Sequence, residues 1–268
     1  MSELLLKEVD GPVAVLTLND PDRANPLSAA IVRALCGELA ALAGDSGVRA
    51  VVIAGAGRHF SAGADLEALE AIAKGGREAS NREDAENLRA LFETLLGHPK
   101  LTVAAVHGAA VAGGCGLATA CDLVVAEARA RFAYTEVKIG FLAAMVLTFL
   151  TRRVAGHVAR RLLLDPELID GRRAVSIGLA DELADDGTAV ATAVELARAV
   201  CAKASPSALA ATKALLNETV GLEWRTALDV AAAANVRQRR EPDCARGVRS
   251  FLDSKTTPDW LVADENDD

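Results

Sequence analysis

The sequence has few aromatic residues and no apolar run long enough to cross a bilayer. Only 3% of its 268 residues are Phe, Trp or Tyr, although 51% are hydrophobic. Much of that apolar content is alanine, which favours closely packed helices. The longest nearly continuous apolar runs, residues 101–113 and 141–150, fall short of the about 20 residues that a membrane-spanning helix needs. The N-terminal residues also lack the long apolar segment of a signal peptide, so we expect neither a leader nor a membrane partner.

Paired cysteines, metal-binding motifs and a basic patch are also missing. The five cysteines form no C-x-x-C pair and their number is odd, which indicates ordinary thiols in a reducing compartment. The four histidines show no H-x-x-x-H or H-E-x-x-H spacing, so no metal site is predicted. A formal net charge of −8 argues against a nucleic-acid partner. We therefore predict a cytoplasmic protein without metal or nucleic acid.

Strand and helix patterns alternate over the first two thirds of the chain. Short apolar runs at 4–9 and 13–18 flank Asp10-Gly11-Pro12, which predicts a hairpin. Ser28 is placed to cap a helix whose apolar residues recur at helical spacing. Further strands are predicted at 49–54, 101–106 and 122–126, and the polar residues 74–84 are interpreted as a spacer. Such alternation predicts an α/β core with a parallel sheet.

The last quarter of the chain has helical periodicity almost throughout. Helices are predicted at about 188–204, 207–219, 222–240 and 242–253. These Ala-rich segments cannot bury an apolar face alone, so they must pack on the core or on another subunit. We divide the chain into a core, residues 1–187, and a helical region, residues 188–268, whose polar tail from Thr256 is expected to fray.

Two Gly/Ala-rich loops follow predicted strands, where ligands bind in α/β sheets. The first spans residues 58–66 and has small side chains at Ala62, Gly63 and Ala64, which let a ligand approach the backbone. The second spans residues 106–116 and leads into a predicted helix at 114–121, whose first N–H groups can hold negative charge. Together the loops could supply two N–H groups to one oxyanion. Tight packing without a ligand is the alternative for either loop alone.

Glu136 is the candidate acid/base. It lies between Phe132 and Tyr134 on one side and the apolar run 141–150 on the other. A carboxylate beside apolar surface tends to have a raised pKa, which suits proton transfer near neutral pH. The alternative for this segment is an exposed glutamate paired with Lys138 or an arginine.

Four segments, in order along the chain, resemble the signatures of one enzyme family. HFSAGADL at 59–66 resembles F-x-A-G-A-D, and AGGCGLATACD at 112–122 resembles G-G-x-x-L-x-x-x-C-D. FAYTEVKIG at 132–140 resembles F-x-x-x-E-x-x-x-G. NDPDRANPLS at 19–28 resembles N-x-P-x-x-x-N-A-L-S, with Pro26 in place of alanine. These are signatures of the enoyl-CoA hydratase/isomerase, or crotonase, superfamily, and the resemblance covers roughly residues 4–253.

The resemblance implies a spiral of ββα units, a helical C-terminal trimerisation region and an acyl-CoA thioester as ligand. It implies a homotrimer or a dimer of trimers, and no cofactor, since coenzyme A is part of the substrate. The implied catalytic residues are Glu136 as acid/base and Ala64 and Gly113 as oxyanion N–H donors. The implied substrate-binding residues are Arg23, Ala62, Asp65, Leu66, Gly116, Tyr134 and Phe141.

Two positions depart from the family pattern. The second glutamate of hydratases would fall at Gly116, and the last helix has Arg246 where an acidic residue is frequent. Hydration of a 2-enoyl-CoA is the leading hypothesis. The loss of one glutamate keeps open a Δ3,Δ2-enoyl-CoA isomerase and a non-catalytic acyl-CoA-binding protein. The stretch at 135–144 resembles the methylglutaconyl-CoA-hydratase-like branch.

Overall fold

The computed structural model describes residues 4–75 and 78–262. Its strands are β1 (Leu5–Asp10), β2 (Val13–Leu18), β3 (Ala50–Gly55), β4 (Leu101–Val106), β5 (Ala109–Val111), β6 (Leu123–Glu127), β7 (Arg131–Ala133), β8 (Ile169–Asp170) and β9 (Glu182–Ala184). Its helices are α1 (Ala29–Gly44), α2 (Leu66–Ala73), α3 (Glu78–Leu96), α4 (Gly113–Ala120), α5 (Val146–Arg153), α6 (Gly156–Leu164), α7 (Gly171–Ser176), α8 (Ala189–Lys203), α9 (Pro206–Glu218), α10 (Trp224–Gln238) and α11 (Pro242–Ser254). Short 3-10 helices span Pro21–Arg23 and Glu136–Ile139.

The predicted parallel sheet is confirmed. Six strands lie in the order β1-β2-β3-β4-β6-β9, and only β1 is antiparallel to its neighbour, in the predicted hairpin. The strands β3 and β4 are buried on both faces, as expected for apolar runs inside a parallel sheet. A second, three-stranded sheet has the order β5-β7-β8, with β5 and β7 parallel. Together with the C-terminal helices, this is the expected α/β crotonase architecture.

The six-stranded sheet separates two apolar layers. One face packs against α1, which Ser28 caps by accepting a hydrogen bond from the Ile31 N–H, and against α3 and α4. The other face packs against α8, whose small residues Ala193, Ala197 and Cys201 recur every fourth position. Small side chains let this helix approach the sheet closely. The helical region predicted from residue 188 therefore begins with a helix that belongs to the core.

The last three helices bury no residue completely within the described structure. Their exposed apolar side chains include Leu216, Trp224, Leu228, Val236, Val248, Phe251 and Leu252. Residues of the tail make hydrogen bonds to the rest of the chain as far as Val262. The Trp260 N–H donates to the carbonyl of Ala202 at 2.9 Å, and the Arg49 guanidinium donates to the Trp260 carbonyl at 2.7 Å. Residues 263–268 lie outside the described residues.

The polar segment at 74–84 is not simply a spacer, because helix α3 begins at Glu78. Its first turns are solvent-exposed and carry ion pairs at helical spacing, among them Arg82 with Glu78 and Arg89 with Glu93. Residues 78–84 are polar because they form the solvent-exposed start of this helix. The short elements α2, β5 and β8 were also missed by the sequence analysis.

The five cysteines are free thiols, as predicted. In the part of the chain that the structure describes, no helix combines the length and apolar character that spanning a membrane requires.

Candidate active site

The two signature loops pack directly on each other. The Ser61 N–H donates to the Ala109 carbonyl at 3.0 Å, and the Val111 N–H returns a bond of the same length to the Ser61 carbonyl. Glycine is required at the closest points. A Cβ at Gly114 would lie 2.4 Å from the Ser61 carbonyl oxygen, and one at Gly63, where φ is +88°, would lie 2.5 Å from that of Val111. The glycines of both signatures therefore serve loop packing before any ligand binds.

Asn25 holds the first loop from behind. It is fully buried, and its side-chain amide donates to the carbonyls of Ala56 at 2.9 Å and His59 at 2.8 Å. The Ser61 hydroxyl donates to the Asn25 carbonyl at 2.7 Å. This asparagine belongs to the motif at 19–28, from which no role was predicted for it. Its contacts explain why an asparagine precedes the first helix: it shapes the loop that carries Ala64.

The backbone N–H groups of Ala64 and Gly113 lie side by side. A Cβ added to Gly113 would stand 3.7 Å from the Ala64 nitrogen. Gly113 is the first residue of α4, so its N–H has no acceptor inside the helix. Neither N–H donates to a protein acceptor within residues 4–75 and 78–262. This pair of amides can receive one anionic oxygen.

The backbone conformation of Ala112 orients the N–H group of Gly113. Its backbone angles, φ 49° and ψ −125°, are ones that L residues rarely adopt. Two hydrogen bonds hold it there: its N–H donates to the Ala133 carbonyl at 2.8 Å, and its own carbonyl accepts from the Gly116 N–H at 3.0 Å. Strained backbone of this kind persists only where its surroundings fix it, and it concentrates at functional sites.

Glu136 lies at the start of the 3-10 helix that follows β7, and only 8% of it is exposed. Burial raises the pKa of its carboxyl group, and a hydrogen bond from its own backbone N–H opposes that rise. Among the described residues, its Oε2 is the one buried side-chain oxygen or nitrogen without a hydrogen-bond partner. An unpaired buried carboxylate oxygen is costly, which makes it a candidate for contact with a ligand.

These groups face a single cavity of about 600 Å³. Eight of the ten predicted site residues line it: Arg23, Ala62, Ala64, Asp65, Leu66, Gly113, Glu136 and Phe141. Its apolar wall also includes Leu88, Phe92, Leu142, Met145 and Val146. Leu88 and Phe92 are one helical turn apart on α3, so one face of this helix forms part of the wall.

Tyr134 and Gly116, two predicted substrate contacts, are not among the residues that line the cavity. Tyr134 is 1% exposed and turns away into the core, where its hydroxyl lies 2.9 Å from that of Thr119. Gly116 is buried in the second turn of α4. A Cβ there would lie 2.6 Å from Cγ2 of Val146 and 3.3 Å from Cζ of Phe92. Two apolar side chains thus fill the space that a hydratase's second glutamate would need.

Substitution at Gly116 tests whether that space is filled. Gly116→Ala should destabilise the wild-type protein, because overpacking costs about 1–3 kcal/mol, whereas alanine gains only about 1 kcal/mol over glycine in a helix. In a Val146→Ala background the Cγ2 atom is gone, so the same change should become stabilising. Denaturant unfolding of the four proteins measures both effects. A stabilising Gly116→Ala in both backgrounds would show that Val146 does not occupy the space.

The charges around the cavity are partly paired. The Arg23 guanidinium lies 2.9 Å from the Asp65 carboxylate, 3.2 Å from Glu67 and 3.6 Å from Asp20. A phosphate could contact Arg23 only by sharing it with these carboxylates. Across the described ranges, no three His, Cys, Asp or Glu side chains cluster in a way that could hold a metal ion.

The sheet order, the C-terminal helices and the two packed loops define an α/β protein of the crotonase type, with two amides and one carboxylate facing a cavity. The model of the enoyl-CoA hydratase/isomerase family matches residues 8–261, nearly the whole chain. The chain belongs to the enoyl-CoA hydratase/isomerase family.

Relatives and solved structures agree with this assignment. A Thermus thermophilus protein named "Putative enoyl-CoA hydratase" is 46% identical over 245 residues, which cover 91% of this chain and 96% of the relative. The 2,3-dehydroadipyl-CoA hydratase of Escherichia coli is 33% identical over 97% of this chain and 99% of its own. The crystal structure of Pseudomonas aeruginosa AtuE superposes with a TM-score of 0.89 at 35% identity, covering 97% of this chain and all of that one.

Proposed function

We propose that the protein is an enoyl-CoA hydratase, which adds water across the double bond of a 2-enoyl-CoA thioester. The observation that carries the proposal is the convergence of an unpaired Glu136 oxygen and the amides of Ala64 and Gly113 on one cavity. Relatives that are named hydratases support it, including the dehydroadipyl-CoA enzyme of Escherichia coli.

In this reaction the thioester oxygen accepts hydrogen bonds from the N–H groups of Ala64 and Gly113. Negative charge moves onto that oxygen as water adds at C3, and the two amides stabilise it where it develops. The Glu136 carboxylate takes a proton from the attacking water and, as a carboxylic acid, returns a proton to C2. One O–H bond of water breaks, a C3–O and a C2–H bond form, and Glu136 ends ionised as it began. The cavity's apolar wall would contact the acyl chain.

The activity should decline at low pH with a midpoint above that of an ordinary glutamate, about 4.3. Glu136 must be ionised to accept the water proton, and burial raises its pKa. The acidic limb of kcat/KM against pH reports this group in the free enzyme. We expect the limb to be present in wild type, and a limb at or below the ordinary glutamate value would contradict Glu136 as the base.

Isomerisation of a 3-enoyl-CoA to a 2-enoyl-CoA is the second candidate. It needs one base that moves a proton between carbons, and Val146 and Phe92 fill the place of a second carboxylate. Incubation with each substrate in isotopically labelled water separates the two, because only hydration yields a 3-hydroxyacyl product containing labelled oxygen. Binding of acyl-CoA without turnover of either substrate would favour the third candidate, a non-catalytic acyl-CoA-binding protein.

The acyl preference should be tested with a panel of 2-enoyl-CoA thioesters that differ in their acyl chains. A preference for methylglutaconyl-CoA or another carboxylated chain would support the branch assignment suggested by residues 135–144.

We also propose a homotrimer or a dimer of trimers, supported by the exposed apolar side chains on α9, α10 and α11. Light scattering of the purified protein would measure the mass, and a monomer would refute this assembly.

A further inference from the structure

A buried hydroxyl pair lies directly behind the candidate active site. Tyr134 and Thr119 are buried, and their side-chain oxygens are 2.9 Å apart. The Thr119 hydroxyl donates to the Cys115 carbonyl at 2.8 Å, so in this arrangement the Tyr134 hydroxyl donates to Thr119. The Tyr134 hydroxyl also contacts the Cys115 thiol. The hydroxyl of Tyr134 is therefore satisfied without solvent or substrate.

This pair joins the two segments that carry the reacting groups. Tyr134 lies two residues before Glu136, on the chain leaving β7. Thr119 and Cys115 belong to α4, whose first residue is Gly113. Burial, with a smaller contribution from the Glu136 carboxylate charge, raises the pKa of the Cys115 thiol to about 12.

Backbone hydrogen bonds connect the α4 segment and the Glu136 segment only where each begins. The β5–β7 ladder pairs Val111 with Ala133, and the Ala112 N–H donates to the Ala133 carbonyl at 2.8 Å. Beyond that bond the two chains separate, one into α4 and the other into the 3-10 helix. The Tyr134 side chain connects them further along, through its hydroxyl contacts with Thr119 and Cys115.

We propose that Tyr134 is a positioning residue, whose hydrogen bond to Thr119 fixes Glu136 relative to the Gly113 amide. The inference rests on the proposed function, because positioning matters only if both groups act on one substrate. Misplacement of a reacting group by about 1 Å can cost about 10²-fold in rate. Tyr134 itself touches no substrate, so its loss should lower kcat and leave KM nearly unchanged.

Removal of either hydroxyl tests the proposal. Tyr134→Phe and Thr119→Val should each lower kcat about tenfold with KM within about twofold, since the error is in placement and not in binding. The double variant should be little worse than either single one, because both remove the same bond. Thr119→Ser keeps the hydroxyl and should retain nearly wild-type kcat.

The Glu136 carboxyl gives a readout that does not depend on turnover. Infrared difference spectra against Glu136→Gln would follow its titration. A loosened Glu136 would be better hydrated, so its pKa should fall toward the ordinary glutamate value in Tyr134→Phe and Thr119→Val. Cys115 is the buried ionisable group that interacts with the Glu136 charge, and Arg23, Asp65, Glu67 and Lys138 are the other charged groups lining the cavity. The charges of these five groups are unchanged by either substitution.

Thr102→Val is the matched control. It also removes a buried hydroxyl, which donates to Asp122 at 2.9 Å, but at the start of β4 and away from the cavity. It should lower the thermal midpoint without changing kcat or the Glu136 titration. Folded Tyr134→Phe and Thr119→Val proteins with wild-type kcat and titration would overturn the proposal, as would Thr119→Ser matching Thr119→Val. If wild type turns over no enoyl-CoA, the proposed function fails, while the titration still decides the positioning role.

Discussion

Glu136→Gln should lower kcat about 10²–10⁴-fold, the usual contribution of a positioned acid/base. Glutamine has nearly the same shape, but it cannot accept the proton of the attacking water. Binding of a saturated acyl-CoA, measured by calorimetry, should change little, because the amides of Ala64 and Gly113 and the cavity wall remain in place. Steady-state kinetics on the best substrate of the panel gives the comparison.

A charge-matched control separates chemistry from net charge. Glu93→Gln removes the same negative charge from the exposed side of α3, where Glu93 pairs with Arg89. That variant should keep wild-type kcat. Near-normal activity in Glu136→Gln would show that another group is the base.

Glu136→Gln should have the opposite effect on the stability of the folded protein. Because burial raises the pKa of Glu136 in the folded state, the folded protein binds this proton more tightly than the unfolded chain does. Stability therefore declines as pH rises through the interval from the unfolded pKa to the folded pKa. The loss is complete above the folded pKa and absent below the unfolded one. At neutral pH, removing the charge of Glu136 removes this cost, so the inactive variant should gain some stability.

The second large effect is expected for Gly113→Pro, which deletes one oxyanion donor. Loss of a single such donor typically costs about 10²–10³-fold in kcat. Proline is well tolerated at the first position of a helix, which is where Gly113 lies in α4. Turnover on the same substrate and circular dichroism of the variant measure activity and fold.

Gly113→Ala is the control for the added carbon atoms. Its Cβ would meet Cδ1 of Leu27 at 3.5 Å, an ordinary contact, and it keeps the N–H. We expect alanine to cost far less than proline. Equal losses in the two variants would mean that bulk, and not the missing hydrogen bond, reduces the rate.

The sheet and the loops were predictable because their determinants are local. The β-branched run before Gly55 and the turn at Asp10-Gly11-Pro12 specify strands by short-range pattern, and the structure confirms both. The two signature loops follow strands β3 and β4, which are neighbours in the sheet, and this adjacency brings Ala64 close to Gly113. Eight of the ten predicted site residues consequently meet in one cavity.

The remaining features depend on contacts between distant segments, which no single motif encodes. Val146 and Phe92 reach Gly116 from α5 and α3, so the sequence showed a missing glutamate and not what replaces it. The family resemblance of residues 132–140 implies Tyr134 as a substrate contact. In the folded chain Tyr134 is buried in the core, where it packs against residues distant in sequence.

The short β5–β7 ladder fixes the distance between the Gly113 amide and the Glu136 carboxylate. Gly113 comes two residues after β5 ends at Val111, and Glu136 comes three residues after β7 ends at Ala133. The separation of amide and carboxylate is thus set by these two counts and by the spacing of adjacent strands, about 4.8 Å. A one-residue insertion in either interval would shift one group by about 3.3 Å, whereas insertions before β5 or after the 3-10 helix would leave the separation intact. Related sequences with the same site should therefore keep the chain length of these two intervals unchanged.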